Sequence, residues 1–333
     1  MNSKLGARPL GLAAGAAAML AVGLATASPA AAATSASVSN DTLTVNGDNG
    51  DDRIALRLAA GAAGTLQVDF GDDGSAEHSF DRGTFSRIEV FIGNGNDQFR
   101  VDQTNGAFTD EALTVDGGNG DDNLNGGDGV ELFIGGNGQD AIDGNRGNDT
   151  ALLGNGQDSF RWDPGDGSDV VEGGNGTDTL DFNGAGADEI MSLSPNGERS
   201  LFLRNVANIR MDMNGVERLD LTALGGADTV TINDMSGTDF RRAEVDLSAP
   251  TGAADGVADI VTVKGTEQAD NIHVRDAGGL VAVDGLQTET VIAGAEPIDR
   301  LQIDALGGDD KVTVDPALAA LIDVSVEPSS GQN

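Results

Sequence analysis

Acidic residues recur at a nearly fixed interval in the middle of this chain, and their spacing is the feature that could carry chemistry. From Gly117 the sequence reads GGNGDDNLN, GGDGVELFI, GGNGQDAID, GNRGNDTAL and LGNGQDSFR, and after two additional residues it continues PGDGSDVVE and GGNGTDTLD to Asp181. The template is G-G-x-G-x-D-x-U-x, in which U is apolar. Its sixth position holds an acid in every copy: Asp122, Glu131, Asp140, Asp149, Asp158, Asp169 and Asp178. Carboxylate oxygens are hard ligands that suit Ca²⁺ far better than Zn²⁺ or copper.

The rest of the template indicates how these acids are positioned. Glycine adopts positive φ readily, so the first six residues suit a tight turn. The x-U-x triplet suits a short strand whose apolar residue points inward. These apolar positions are Leu124, Phe133, Ile142, Ala151, Phe160, Val171 and Leu180. One triplet cannot bury its apolar residue alone, so the repeats must stack into a solenoid.

Stacking predicts two columns of acids, because two repeats make one coil of 18 residues and the turns alternate between two sides. One column contains Asp122, Asp140, Asp158 and Asp178, and the other contains Glu131, Asp149 and Asp169. Adjacent parallel strands lie about 4.8 Å apart. Two ionised carboxylates at that spacing repel by roughly 3 kcal/mol at an effective dielectric constant of about 20. The columns therefore require cations between the turns.

The nonapeptide block resembles the RTX family, the haemolysin-type calcium-binding repeats. The resemblance covers residues 117–181 and implies a parallel β-roll in which turn carbonyls and the sixth-position Asp bind several Ca²⁺ ions. The carboxylate ligands that it implies are Asp122, Asp140, Asp149, Asp158, Asp169 and Asp178. We place the implied turn ligands at Gly117, Asn119, Gly135, Asn137, Asn155, Gly173 and Asn175. Glu131, Asn145 and Ala151 depart from the template on one side, and we expect weaker sites there.

A longer sequence pattern recurs outside the block, in which a predicted strand is followed by a turn containing glycine and an acid and then by a second strand. Its acids, including the one shared with the block, are Asp52, Asp97, Asp122, Asp228, Asp270 and Asp310. Apolar alternation around them predicts further strands, so we expect an all-β parallel β-roll or β-solenoid with an RTX core and β-rich repeat flanks. A propeller with blades of 40–45 residues is the alternative for the flanks, and we favour the solenoid. Whether the flank turns bind Ca²⁺ stays open.

The chain divides by pattern into four segments: residues 1–33, 34–116, 117–181 and 182–333. The first contains Lys4 and Arg8, then an uncharged apolar run and SPAAAA, which predict a signal peptide cleaved near Ala33 and a secreted protein. The second is the N-terminal β-repeat flank, the third the calcium-binding block and the fourth the C-terminal β-repeat region. No second apolar segment predicts a membrane span.

Composition narrows the partners and the chemistry. The chain has 55 acidic against 19 basic residues and a formal net charge of −36, which argues against nucleic acid as a partner. It has no Cys, so another kind of cross-link must take the place of disulfides, and bound metal is the obvious candidate. The only histidines, His78 and His273, lie in surface patterns, and neither H-E-x-x-H nor G-x-S-x-G occurs. The segment 69–80 begins like an EF-hand loop but has Phe80 where the loop needs Glu.

These features predict a non-enzymatic, secreted protein whose folding depends on Ca²⁺. A structural, cell-surface or matrix and adhesion component suits a long rigid β-solenoid, with a surface or matrix partner. A second hypothesis is a secreted carbohydrate-active hydrolase that uses an unrecognised pair of carboxylates.

Overall fold

The computed structural model describes residues 33–327, so the predicted signal peptide lies outside the described residues except for its last position. The described chain is all-β, as the sequence predicts. Its helical segments are three short 3₁₀ turns at Arg82–Thr84, Val206–Asn208 and Pro316–Ala320.

The strands form two sheets of 14 strands each. The first sheet contains β1 (Ser35–Ser39), β2 (Thr42–Asn46), β6 (Arg87–Asn94), β8 (Ala112–Asn119), β10 (Glu131–Asn137), β12 (Thr150–Gly156), β14 (Val170–Gly176), β16 (Ile190–Asn196), β17 (Arg199–Arg204), β18 (Ile209–Asn214), β20 (Thr229–Ile232), β22 (Ile260–Lys264), β26 (Arg300–Asp304) and β28 (Asp323–Glu327). The second contains β3 (Arg53–Ala59), β4 (Ala62–Phe70), β5 (His78–Asp81), β7 (Gln98–Asp102), β9 (Asn123–Asn125), β11 (Ala141–Asp143), β13 (Ser159–Trp162), β15 (Thr179–Asn183), β19 (Arg218–Thr222), β21 (Arg242–Asp246), β23 (Asn271–Asp276), β24 (Val281–Asp284), β25 (Glu289–Ala293) and β27 (Lys311–Val314).

Through the nonapeptide block the chain alternates between the two sheets. Each coil adds one strand to each sheet, so neighbours within a sheet are parallel and one coil apart. Leu124 pairs with Ile142, and Ile142 pairs with Phe160, which is the step of 18 residues that the sequence predicts. The two-residue insertion lengthens the next step, so that Phe160 pairs with Leu180.

The core lies between the two sheets. All seven predicted apolar positions of the repeat are buried, and even the small Ala151 has no exposed surface. The insertion places Trp162 in the same core, where its ring stacks on that of Phe182 at a centroid distance of 4.2 Å. The indole Nε1 of Trp162 donates to the carbonyl oxygen of Gly167 at 2.8 Å, so the polar end of the ring is also satisfied.

Two antiparallel hairpin units interrupt the parallel stacking, and the sequence pattern does not reveal them: β16, β17 and β18 form one, and β23, β24 and β25 form the other. Antiparallel strands also lie at one edge of each sheet, β1 with β2 in the first and β3, β4 and β5 in the second. Both sheets nevertheless continue across residues 116/117 and 181/182, through the β6–β8 and β15–β19 pairs. The described flanks are therefore solenoid-like, and the propeller alternative does not describe them.

Candidate metal centre

The sixth-position acids stack in the two predicted columns. In column one, which lies where the chain passes from the first sheet to the second, the backbone N–H of each acid donates to Oδ1 of the acid one coil ahead. The distances are 2.9 Å from Asp122 to Asp140, 2.8 Å from Asp140 to Asp158 and 3.0 Å from Asp158 to Asp178. Column two, at the opposite turns, has the same bonds at 2.8 Å from Glu131 to Asp149 and from Asp149 to Asp169.

Column one extends into both flanks. The N–H of Asp52 donates to Oδ1 of Asp97 at 2.7 Å, and that of Asp97 donates to Oδ1 of Asp122 at 2.8 Å. At the other end the N–H of Asp178 donates to Oε2 of Glu217 at 2.8 Å. The flank acids Asp52 and Asp97 thus belong to the same column as the nonapeptide acids.

A third column occupies the C-terminal region. Bonds of the same kind run from Glu189 to Asp228 at 2.8 Å, from Asp228 to Asp259 at 2.7 Å and from Asp259 to Asp299 at 3.0 Å. Asp270 and Asp310 form a separate pair at 2.9 Å. Sequence reasoning found three of these acids and missed Glu189, Asp259 and Asp299, as well as Glu217 in column one. Each missed acid stands two residues before a buried apolar residue, which is the signal that could have found it.

In half of these acids the second carboxylate oxygen has no hydrogen-bond partner. Oδ1 accepts the backbone bond, whereas Oδ2 is buried without any hydrogen bond. This holds for Asp97, Asp122, Asp140, Asp149, Asp158, Asp178, Asp228 and Asp310. Burying a carboxylate oxygen without a partner is unfavourable, and either a proton or a cation could relieve that cost.

Beside Gly117, Gly135 and Gly173, each the first residue of its repeat, such an oxygen lies close to a carbonyl oxygen of the next coil. A Cβ on Gly135 would lie 2.6 Å from Asp140 Oδ2 and against the carbonyl oxygen of Leu153. A Cβ on Gly117 would lie 2.8 Å from the carbonyl oxygen of Gly135 and against Asp122 Oδ2. A carboxylate oxygen and a carbonyl oxygen thus lie together at these positions, and both are donors of the kind that Ca²⁺ takes at about 2.3–2.6 Å.

Gly173 repeats the arrangement at the end of the block. A Cβ there would lie 2.7 Å from Asp178 Oδ2 and against the carbonyl oxygen of Gly215. In column two the carbonyl oxygen of Gly144 and Glu131 Oε2 lie together beside Gly126. Three of the predicted turn positions, Gly117, Gly135 and Gly173, therefore lie beside such a pair of oxygens.

The four predicted asparagines have a different environment. Their exposed side chains form a ladder along the edge of the first sheet, in which Nδ2 of one asparagine donates to Oδ1 of the asparagine one coil before it. The ladder distances are 2.7 Å from Asn119 to Asn94, 2.8 Å from Asn137 to Asn119, 2.8 Å from Asn155 to Asn137 and 2.7 Å from Asn175 to Asn155. The main-chain oxygens of Asn119, Asn137 and Asn155 accept bonds from glycine N–H groups. The side chains of these asparagines thus form the ladder, and their role as metal ligands stays a prediction.

Burial makes the column carboxylates difficult to ionise. It is the main cause that raises the pKa of Asp122 to about 7, that of Asp140 to about 6 and that of Asp149 to about 9, and neighbouring carboxylates add to the effect. Burial likewise raises the pKa of Asp169 to about 7 and that of Asp178 to about 6, and it raises the pKa of Asp158. A bound cation would remove this penalty by pairing the charged form.

Two of the residues on the column-two side that depart from the repeat template are Glu131 and Asn145, and the structure shows how each is accommodated. The longer side chain of Glu131 reaches back to its own turn, where Oε2 accepts the N–H of Gly127 at 3.2 Å. Its oxygens are not among the unpartnered set. Asn145 takes the left-handed conformation of the glycine that it replaces, with φ of 57°, which asparagine tolerates better than most residues. Glu131 is thus hydrogen-bonded, whereas Asp149 in the same column leaves Oδ2 unpartnered, and weaker binding on this side stays a prediction.

Carboxylates alone do not form a metal cluster in the described chain. Within residues 33–327 no three acidic, histidine or cysteine side chains converge on one point. A metal between the turns would consequently need backbone carbonyls in addition to one or two carboxylates, as the geometry beside Gly117 and Gly135 provides.

No protein-family model matches the chain, and no curated protein matches it either. Among residues 33–327 no helix has the length and apolar character needed to cross a membrane. The function proposed below depends on the geometry of the turns.

Proposed function

We propose that this is a secreted, non-enzymatic calcium-binding protein of the RTX type, whose β-solenoid folds when Ca²⁺ binds between its stacked turns. The observation that carries the proposal is the register of buried, unpartnered Oδ2 atoms in columns one and two. Two further observations support it: a carboxylate oxygen and a carbonyl oxygen of the next coil lie together beside Gly117, Gly135 and Gly173, and burial raises the pKa of Asp122 and Asp149.

In this proposal the carboxylates of column one and column two neutralise Ca²⁺, and the first-position carbonyls complete its oxygen shell. The ligand carboxylates would be Asp122, Asp140, Asp149, Asp158, Asp169 and Asp178. Asp97 would join them, because its Oδ2 is buried and unpartnered in the same column. Low Ca²⁺ before export would leave the columns unfolded, and higher Ca²⁺ outside would close them.

The biological use that we propose is structural. A rigid stack with a net charge of −36 suits a component of a cell surface, an extracellular matrix or an adhesive layer. Cross-linking by Ca²⁺ would take the place of disulfides, since the chain has no cysteine.

Equilibrium dialysis of residues 34–333 against Ca²⁺, with Mg²⁺ in parallel, tests the binding. The proposal predicts several Ca²⁺ per chain and little Mg²⁺, because Mg²⁺ demands a stricter octahedral shell and retains its water. Replacing Asp140 and Asp158 by Asn should remove bound Ca²⁺, whereas replacing the exposed Asp121 by Asn should not. Equal Ca²⁺ binding by all three proteins would refute the assignment.

A polar groove favours the hydrolase as the second candidate. Asp128, Asp163 and Asp166 line it between Arg100 and Arg146. Burial raises the pKa of Asp166 to about 6, which is a value suited to a general acid. Release of reducing sugar from polysaccharides by the wild type, lost in the Asp163→Asn/Asp166→Asn variant, would favour this candidate over the structural one.

A further inference from the structure

One column acid, Glu189, forms a buried ion pair with an arginine, Arg204. Both Nε and Nη2 of Arg204 bond to Oε1 of Glu189, the first acid of column three. The two side chains are 3% and 0% exposed. Oε2 of Glu189 accepts the N–H of Ala185 at 2.8 Å. Among the column acids of the described chain, Glu189 alone forms an ion pair with an arginine.

The turn around Glu189 has the same geometry as the nonapeptide turns. A Cβ on Gly184, five residues before Glu189, would lie 2.5 Å from Glu189 Oε2 and 2.8 Å from the carbonyl oxygen of Ala223 in the next coil. Gly117, five residues before Asp122, meets Asp122 Oδ2 and the next coil's carbonyl in the same way. A carboxylate oxygen and a carbonyl oxygen of the next coil thus lie together at both turns. The turns differ in that Glu189 has an arginine and an N–H as partners, whereas Oδ2 of Asp122 has none.

The hairpin of β16, β17 and β18 contains the arginine that pairs with Glu189. Arg204 is the last residue of β17 and pairs with Met191 in β16, directly after the Glu189 turn. Its guanidinium carbon lies 5.1 Å from the centroid of the Trp162 ring, which fixes the side chain from the core side. Strands β18 and β17 of this hairpin lie between β14, which follows Asp169 of column two, and β16, which follows Glu189. Arg204 therefore lies where column two ends and column three begins.

We propose that Arg204 is a built-in counter-cation, which neutralises Glu189 in the way that Ca²⁺ neutralises the nonapeptide acids. This inference rests on the proposed function and deepens it, because it states which turns require the metal. The arginine side chain is part of the protein, so the positive charge that it brings to Glu189 does not depend on the Ca²⁺ concentration. The Glu189 turn is consequently closed without metal.

The chain offers a matched control for the loss of a buried arginine. Arg57 pairs with Asp69 at 2.6 Å, with side-chain exposures of 7% and 0%, and Asp69 belongs to none of the columns. Removing either arginine leaves a buried carboxylate unpaired, which is destabilising. Only at Glu189 does the vacated space border the gap between turns, so only there should Ca²⁺ be able to compensate.

The test compares the urea midpoints of the wild type, Arg204→Met, Glu189→Gln/Arg204→Met and Arg57→Met at a series of Ca²⁺ concentrations. We expect the deficit of Arg204→Met to shrink as Ca²⁺ rises, with one additional ion bound per chain. The deficit of Arg57→Met should stay constant. At the lowest Ca²⁺ concentration the double variant should recover most of the urea midpoint that Arg204→Met loses, because the double variant has no buried charge at position 189 to neutralise.

Two outcomes would overturn the inference: a deficit of Arg204→Met that is constant in Ca²⁺, or a double variant no more stable than the single one. If Arg204→Met does not fold at low Ca²⁺, its refolding yield against Ca²⁺ replaces the midpoint in the same comparison. Failure of the proposed function appears separately, as a wild type that ignores Ca²⁺. In that event rescue by Glu189→Gln would still establish Arg204 as the counter-cation.

Discussion

The backbone N–H of Asp140 donates to Oδ1 of Asp158 at 2.8 Å, and this bond fixes both the register of the coils and the chemistry of the turn. It uses one oxygen of Asp158 and leaves Oδ2 buried without a partner. The same arrangement at Asp140 places a second unpartnered oxygen one coil away. A carboxylate held in this way completes the backbone hydrogen bonding and still offers one oxygen to a cation.

Replacing Asp140 and Asp158 together by Asn should have opposite effects with and without Ca²⁺. With chelator the variant should be more ordered than the wild type, because two buried charges are gone. With Ca²⁺ it should require a higher concentration to fold, because two ligands are weakened. Far-UV circular dichroism during a Ca²⁺ titration measures both effects.

The control for this variant is Asp121→Asn, at an exposed acid beside the column whose Oδ1 accepts the N–H of Gln139 at 2.7 Å. Its titration curve should follow that of the wild type. Curves that shift equally for both variants would mean that the overall charge matters and the column does not.

Gly136 should tolerate no side chain. Its φ is 111°, and a Cβ there would overlap the carbonyl oxygen of Gly118 in the preceding coil. We expect Gly136→Ala to destabilise the folded state with Ca²⁺ bound by at least about 1–3 kcal/mol. Gly186→Ala is the control, since a Cβ on Gly186 meets nothing within 4 Å, and should change the unfolding free energy by no more than about 0.5 kcal/mol. Equal urea midpoints for the two variants would contradict the close stacking of the coils.

Without Ca²⁺ the protein should gain β structure as the pH is lowered. Burial raises the pKa of Asp122, Asp140 and Asp169 to between about 6 and 7 in the folded state, against about 3.9 in an unfolded chain. The folded state then binds more protons, so its stability is greatest below about pH 4 and falls as the pH rises to about 7. Each excess proton contributes a slope of about 1.4 kcal/mol per pH unit.

Circular dichroism at a series of pH values, in chelator and in saturating Ca²⁺, checks this dependence. Calcium should reverse the trend, because it binds the ionised acids and competes with protons. A β signal that grows with pH in chelator would contradict the assignment of buried, charge-poor columns.

Much of the central block could be predicted from its spacing, because each position of a nine-residue repeat has one environment. The apolar residue two positions after each acid fixes the inward face, and the 18-residue step between Leu124 and Ile142 follows directly. The asparagine ladder was not predicted, because the same Asn-Gly pair can serve a turn ligand or an edge hydrogen bond. Only the distances between coils distinguish the two roles.

The C-terminal column was largely missed because its turns do not repeat the glycines. Asp259 follows Val-Ala and Asp299 follows Pro-Ile. Neither acid has the glycine that the template places two residues before it. The pairing of Glu189 with Arg204 depends on a hairpin that returns the chain 15 residues later, and no local pattern encodes that return. Periodicity therefore predicts the coils, whereas insertions between coils require the tertiary structure.

Replacing Asn137 by Ala should separate the ladder from the metal sites. Its Nδ2 bonds to Asn119 and its Oδ1 accepts from Asn155, both at 2.8 Å on the exposed edge. We expect a loss of about 0.5–1.5 kcal/mol per broken hydrogen bond and an unchanged number of bound Ca²⁺ ions. Urea unfolding and equilibrium dialysis provide the two readouts, with Gln157→Ala as an exposed control. A lower ion count in Asn137→Ala would favour this asparagine as a metal ligand.

The most direct test of the central claim is far-UV circular dichroism of residues 34–333, first in excess chelator and then during titration with Ca²⁺, with Mg²⁺ as the control ion. At a Kd near 10⁻⁴ M and Ca²⁺ near 1 mM each site would contribute about 1.4 kcal/mol, so several sites together are comparable with the stability of a domain. We therefore predict a steep gain of β signal with Ca²⁺ and none with Mg²⁺. A β spectrum that is already complete in chelator, and that Ca²⁺ leaves unchanged, would contradict calcium-dependent folding.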